Sequence, residues 1–335
     1  MVRVLLPRRR VLAAGGGVLG GVLASPMIAS GIARAQAEWP NKSVRYINPF
    51  PAGGTTDVLS RVVCQELSEL TGQQFVVENK SGSGGNVGTD ILAKSAPDGY
   101  TVGLYTIASH AIAPTLYAKL PFDADKDFTP VSMLWSVPNL FVTKLALPVN
   151  SVPELVALVK ANPGKYFFGS GGSGTSPHLC GEMLKQRAGL DMQHVPYRGG
   201  APAMQDMLAG QLDMMYDNIS TPLVQYKAGK VRAIAVTSLE RHPSAPELPT
   251  MSEFYPGFNI TSWGGLCGPA GLPPAMVEKA STLTKKVLES ENLKKIFIQQ
   301  AATTNWMSPA DTAAFRRKQE QDLAPIIRAS GARVD

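Results

Sequence analysis

An open α/β fold, built as two similar lobes, is predicted by three observations. Short apolar runs alternate with helix-length segments along most of the chain. This is the pattern of repeated strand–helix units, whose ligands bind at the carboxyl ends of the strands. Several junctions are glycine-rich turns that lead from a strand into a helix. Residues 46–67 (YINPFPAGGTTDVLSRVVCQEL) and 166–187 (YFFGSGGSGTSPHLCGEMLKQR) share the order strand, glycine-rich turn, Thr or Ser, helix, a loose internal repeat. Two lobes that each offer an amide-lined turn to one cleft have the geometry of a binding protein closing around a small anion.

The elements follow in order. Residues 44–47 form a strand that Pro49 and Pro51 end, since neither continues a ladder. Gly53 and Gly54 allow a tight turn. Thr55 or Thr56 caps a helix carrying Val58, Leu59, Val62, Val63 and Leu67. Residues 75–78 are a second strand, 82–88 a loop and 89–94 a short helix. Pro97-Asp98-Gly99 turns the chain into a strand over 101–105. Residues 128–130 and 131–135 open a new section, with extended pieces at 140–143 and 148–149. Ser151 starts a helix over 152–160. Strands at 166–169, 194–196, 212–216 and 231–236 alternate with helices at 179–187 and 201–209. Helices at 281–300 and 309–331 close the chain.

The first 37 residues read as targeting rather than fold. Arg3 and Arg8-Arg9-Arg10 precede an apolar, small-residue stretch over 11–32, and Ala35-Gln36-Ala37 fits a signal-peptidase site. Arg8-Arg9-Arg10-Val11-Leu12, the glycines from Gly15 to Gly21 and Arg34 resemble a twin-arginine signal, with the general export route as the alternative. Cleavage after Ala37 leaves a chain starting at Glu38, exported to the periplasm. No later apolar run reaches the ~20 residues of a membrane span. The formal charge of +6 falls to about +1 without the five leader arginines, so the pI of 9.2 does not imply a nucleic-acid partner. Cys64, Cys180 and Cys267 are odd in number and widely spaced, which excludes a disulfide framework and a zinc site. They read as core residues, with a single pairing as the alternative.

The turn over 50–57 is the strongest site signal. It aims helix-end amides and a positive dipole end at one spot, which suits an anion. There is no lysine for a triphosphate and no metal-ligand cluster, so a carboxylate is the natural guest, and no cofactor is expected. Residues 82–88 (GSGGNVG) resemble a dinucleotide loop but lack its third glycine position and its acidic partner. Gly171-Gly172-Ser173-Gly174-Thr175 approaches a nucleophile elbow but ends in Thr. Asp217 follows a strand, either as a turn former or as an acceptor for a ligand amine or hydroxyl. Asp57 fits a first-turn residue complementing the helix dipole. Arg198 reads as a carboxylate ligand or a loop salt bridge. Phe50 and Trp263 read as cleft walls or core.

Together, WPNKSVRYINPFPAGGTTD, VVENKSGSGGNVGTDILAKSAPDGYT, GSGGSGTSPHL, HVPYRGGAPAMQDMLAGQLDMMYDN and KVRAIAVTS resemble the Bug-type (TctC-like) solute-binding proteins of tripartite tricarboxylate transporters. The resemblance implies a two-lobed periplasmic binding protein fold (type II-like), each lobe an open mixed sheet flanked by helices. It places lobe 1 at 38–138 plus 256–335 and lobe 2 at 139–255. It further implies a non-enzymatic monomer that captures a small carboxylate and hands it to a membrane permease. Carried over by position, one lobe offers Phe50, Ala52, Gly53, Gly54, Thr55, Thr56 and Asp57. The other offers Ser170, Gly172, Ser173, Gly174 and Thr175, with His178 and Asp217 beyond. A sensor presenting solute to a receptor, or an exported hydrolase, are the alternative readings.

Overall fold

The structure is a computed structural model that describes residues 39–334. The leader reading of residues 1–37 and the start at Glu38 lie outside the described residues. Apolar runs bounded by Gly and Pro become strands β1 (Val44–Asn48), β2 (Phe75–Asn79) and β3 (Thr101–Thr106). Between them lie helix α1 (Thr55–Thr71), a 3₁₀ turn over Ser83–Gly85 and helix α2 (Asn86–Ala93). β1 pairs in parallel with both β2 and β3, with Val44 opposite Phe75 and Arg45 opposite Thr101. A π-type turn (Ala108–Ile112) and a short helix α3 (Ala113–Leu116), neither expected, follow β3.

The separate extended pieces expected over 128–143 are one strand, β4 (Phe128–Thr143). Its two interior prolines hid this, because proline normally excludes a ladder. Pro130 sits beside a bulge, and Pro138 lies where the strand changes partners. Up to Pro138, β4 runs antiparallel to β9 (Thr261–Pro269); from Asn139 it runs antiparallel to β7 (Met214–Asn218) and β8 (Arg232–Val236). Residues 148–149 are not strand. β5 (Phe167–Ser170) lies parallel to β6 (Gln193–Pro196) and to β7. The sheet order is β2-β1-β3-β9-β4-β7-β5-β6, with β8 and the two-residue β10 (Thr303–Thr304) pairing onto β4.

The remaining helices are α4 (Val152–Lys160), α5 (Ser176–Ala188), α6 (Gly200–Leu208), α7 (Ser220–Lys227), α8 (Pro274–Leu288), α9 (Glu291–Gln299) and α10 (Pro309–Ser330). The single helix expected over 281–300 is two, because Ser290 takes the N-cap of α9 and accepts from the Leu293 amide. Trp135 and Trp263 are fully buried between the layers. Trp263 is therefore core rather than cleft wall, its indole N–H donating to Gln319. All three cysteines are buried and unpaired.

Candidate functional site

Five strands end at the same place, and the segments after their carboxyl ends enclose one cavity of about 50 Å³. Three of these segments are helix starts. α1 supplies Gly54, Thr55 and Thr56; α5 supplies Thr175, Ser176 and Pro177; α6 supplies Gly199, Gly200 and Ala201. Each triplet is the N-cap and first two positions of its helix, where amides have no intrahelical acceptor. Among the described residues, the amides of Thr55, Thr56, Ser176, Gly200 and Ala201 meet no protein acceptor. Thr106, Ile107 and Ala108 after β3, Asp217 and Asn218 on β7, and Ser262 on β9 complete much of the wall. Asp217 is the one ionisable side chain among the residues that line it. Three dipole ends, with no lysine, arginine or histidine in the wall, make a site for an anion.

The cap of α1 is Gly54, not Thr55 or Thr56. Gly54 is extended (φ −83°, ψ 168°), so the helix begins one residue earlier than the threonine pattern suggested. The Thr55 hydroxyl instead meets that of Thr221 at 3.3 Å. Gly53 does not present a bare amide, since its N–H donates to Asp57 Oδ2 at 3.0 Å. Asp57 also accepts from Arg61 Nε (3.0 Å) and Asn79 Nδ2 (2.8 Å). Burial alone would raise its carboxyl, but Arg61, the Gly53 amide and Asn79 together hold it below the usual range. Asp57 is thus a brace for the turn and does not line the cavity; exposed Ala52 and Gly53 also lie outside its wall. Phe50 and Pro51 do line it.

The second glycine loop divides in the same way. Thr175 lines the cavity and donates its hydroxyl to Gly172 O at 2.7 Å. Ser170, Gly172, Ser173, Gly174 and His178 lie behind the wall and shape it. The Gly172 amide donates to Ser170 Oγ (3.1 Å), and the Gly174 amide donates to His178 Nδ1 (3.2 Å). His178 Nδ1 is thereby occupied, and among the described residues His178 makes no hydrogen bond to Ser173, so the elbow-like sequence builds no Ser–His pair. Ser170 Oγ lies 2.7 Å from His194 Nε2, but Ser170 is fully buried, and among the described residues no carboxylate is bonded to His194. Burial pushes His178 down to about 4 and His194 down to about 3. Arg198 is exposed and outside the wall. Gly199–Ala201 were not among the expected site residues, although their strand-to-helix glycine turn was the signal that could have found them; for Thr106–Ala108 the signal is only the rule that strand ends carry the site.

The segments on the two sides of the cavity touch. Tyr117 Oη lies 3.2 Å from Ser83 O and 3.0 Å from Ser173 O, bridging the first and second glycine-rich halves. A Cβ on Gly84 would lie 2.2 Å from Ser173 O, and one on Gly199 2.5 Å from Pro51 Cγ.

Residues 59–332 match the family model of the tripartite tricarboxylate transporter family receptor. The chain belongs to this family. It is a solute-binding receptor of the TctC/Bug type and not an enzyme. The receptor is 34% identical over 298 residues to Protein BugT of Bordetella pertussis, covering 88% of this chain and 91% of that one. Its fold superposes on R. palustris Rpa4515 with adipate with a TM-score of 0.86 and 33% identity, over 88% of this chain and 100% of that one. The periplasmic binding protein BugD gives a TM-score of 0.84 and 34% identity, over 88% and 99%. No helix among the described residues is long and apolar enough to cross a membrane.

Proposed function

We propose that this receptor captures a small carboxylate-bearing solute in the cavity, as a periplasmic monomer, and delivers it to a membrane permease of the tripartite tricarboxylate type. The convergence of three helix starts on a wall without cationic side chains carries the reading. A carboxylate with two oxygens can take two neighbouring amides of one helix end, and a second carboxylate can take those of another. The adipate named with Rpa4515 is of this class. The working units are lobe 1 (residues 38–138 and 256–335) and lobe 2 (139–255), hinged where β4 changes partners at Pro138. Solute enters between them and the lobes shut on it.

The test is a thermal-shift and calorimetric screen of mono- and dicarboxylates. A true solute at 100 times its dissociation constant should add ~2.7 kcal/mol of stability. A screen in which no carboxylate shifts the melt overturns the proposal. Small-angle scattering should show a smaller radius of gyration at saturation, while an unchanged radius would mean that the cavity is preformed.

Two substitutions probe the same reading. Gly54→Val places a side chain at the amide end of α1. Gly54 has an ordinary φ, and its added Cβ would meet only Pro51 O at 3.9 Å, so the fold should survive. Affinity should fall at least about tenfold, or about 1.4 kcal/mol; equal calorimetric affinity would remove this turn from the site. Tyr117→Phe deletes a hydroxyl that can donate to only one of its two carbonyls at a time. The expected loss is about 1 kcal/mol, roughly fivefold in affinity, seen mainly as faster dissociation. An unchanged off-rate would show that the phenol does not hold the closed form.

A further inference from the structure

Asp217 is the anomaly of this anion site. Its side chain lines the cavity and is 5% exposed. One oxygen, Oδ1, accepts from the Asn218 amide at 2.9 Å, while Oδ2 is buried with no partner. Gly200 packs directly on the carboxyl, since a Cβ there would lie 2.3 Å from Oδ2. Nothing charged offsets it. On α6, Asp206 takes the Tyr197 hydroxyl; on α5, Glu182 pairs with Lys185 and His178 takes the Gly174 amide. Lys144 pairs with Asp213 at the opposite ends of β4 and β7, and Lys227 lies in the last turn of α7. Burial therefore dominates and pushes the carboxyl up to about 7, with the Asn218 amide working against it.

The sequence suggested an acceptor for a solute amine or hydroxyl. The closed cavity favours another chemistry. An anionic solute drawn in by the helix ends would face a bare carboxylate with an orphan oxygen. Two carboxylates brought into contact in a site without counter-cations do not both stay ionised. A neutral carboxyl, by contrast, has an O–H to give and needs an acceptor.

Resting on the carboxylate reading above, we propose that Asp217 sets the specificity of the site by holding a proton that its carboxyl shares with a carboxylate oxygen of the solute. Capture of a dicarboxylate is then coupled to proton uptake. The balance is simple: the solute arrives ionised, one proton comes from solvent, and it ends between Asp217 and the solute. The receptor thus prefers a plain carboxylate at this end of the cavity over a solute that presents an ammonium group there.

Calorimetry with adipate tests this, run at several pH values and, at each, in buffers of different ionisation enthalpy. The slope of the observed enthalpy against buffer enthalpy counts protons. Close to one proton should be taken up per adipate at pH 8, falling to about a quarter of one at pH 6.5, where free adipate is still ionised. Above pH 7.5, affinity should weaken by about tenfold per pH unit. Asp217→Asn keeps a hydrogen-bond donor and cannot titrate. Once its cooperative melt has been checked, it should bind adipate with no proton uptake and with a flat pH profile over this range. Adipate binding to the wild type at pH 8 without proton uptake, or an unaltered pH profile in Asp217→Asn, would overturn the proton-sharing role while leaving the carboxylate site intact. Tighter binding of glutamate than adipate, strengthening as pH rises, would do the same and restore the acceptor role. A wild type that binds no carboxylate of the screen at any pH overturns both readings.

Discussion

Replacing Gly84 by alanine should cost the receptor at least about 100-fold in solute affinity, some 2.7 kcal/mol, while leaving it folded. Gly84 sits in the 3₁₀ turn that follows β2, and its Cα packs directly against the second glycine loop. An alanine Cβ would lie 2.2 Å from Ser173 O and 3.0 Å from Tyr117 Oη. The first of these is a backbone carbonyl, which cannot swing aside as the end of a flexible side chain can. The two segments must part, and displacing Ser173 shifts its neighbours Gly171 and Thr175, which line the cavity. Gly84 also has φ 61°, so alanine adds a local strain of about 1 kcal/mol whether or not the loops touch. Gly53→Ala separates the two effects. It carries a comparable strain, at φ 81°, but has nothing within 4 Å of its added Cβ. Titration calorimetry should place Gly53→Ala near the wild type and Gly84→Ala far below it, with similar melting temperatures for the two variants. Equal affinities would mean that capture does not need this contact.

Much of the fold was legible because apolar runs and turn residues agreed. β1, its two prolines, the glycine turn and α1 follow one another as local chemistry dictates. β9 was missed for a physical reason. Gly264, Gly265 and Gly268 dilute its pattern, yet they are there so that neighbours can approach: a Cβ on Gly264 would lie 2.4 Å from the Trp135 ring, and one on Gly268 2.5 Å from Leu272. Sequence alone reads such glycines as breaks. The first-loop site was partly legible, since a glycine turn into a helix predicts free amides. It could not be seen which amides are already used: Asp57 consumes that of Gly53, while those of Thr55 and Thr56 stay available. The fit of Gly200 over Asp217 joins two strand ends and depends on the tertiary fold, so no local pattern could announce it.

Acidification from pH 7.5 to 5 should destabilise the solute-free receptor by about 3 kcal/mol. His110, His178 and His194 are the cause. Burial, seconded by nearby positive groups, holds them at about 3, about 4 and about 3. His110 offers one ring nitrogen to Thr106 and leaves Nε2 buried without a partner, while His178 and His194 stack with ring centroids 4.2 Å apart. In the unfolded chain each would titrate near 6.5. Below that value the unfolded state binds protons that the folded state refuses, so stability is complete above about pH 7 and falls as pH drops toward the folded values. At pH 5 each histidine removes about 2 kcal/mol. Asp217 acts in the opposite sense. Its folded value of about 7 lies above the unfolded carboxylate range, so its destabilising charge is relieved as pH falls, returning about 2 to 3 kcal/mol by pH 5. The net loss should appear as a lower urea midpoint with an unchanged slope. Asp217→Asn removes the compensating group, so the variant should gain stability at pH 7.5 and lose it more steeply on acidification than the wild type. A wild-type midpoint that stays level or rises toward pH 5 would show that the buried histidines accept protons in the folded state.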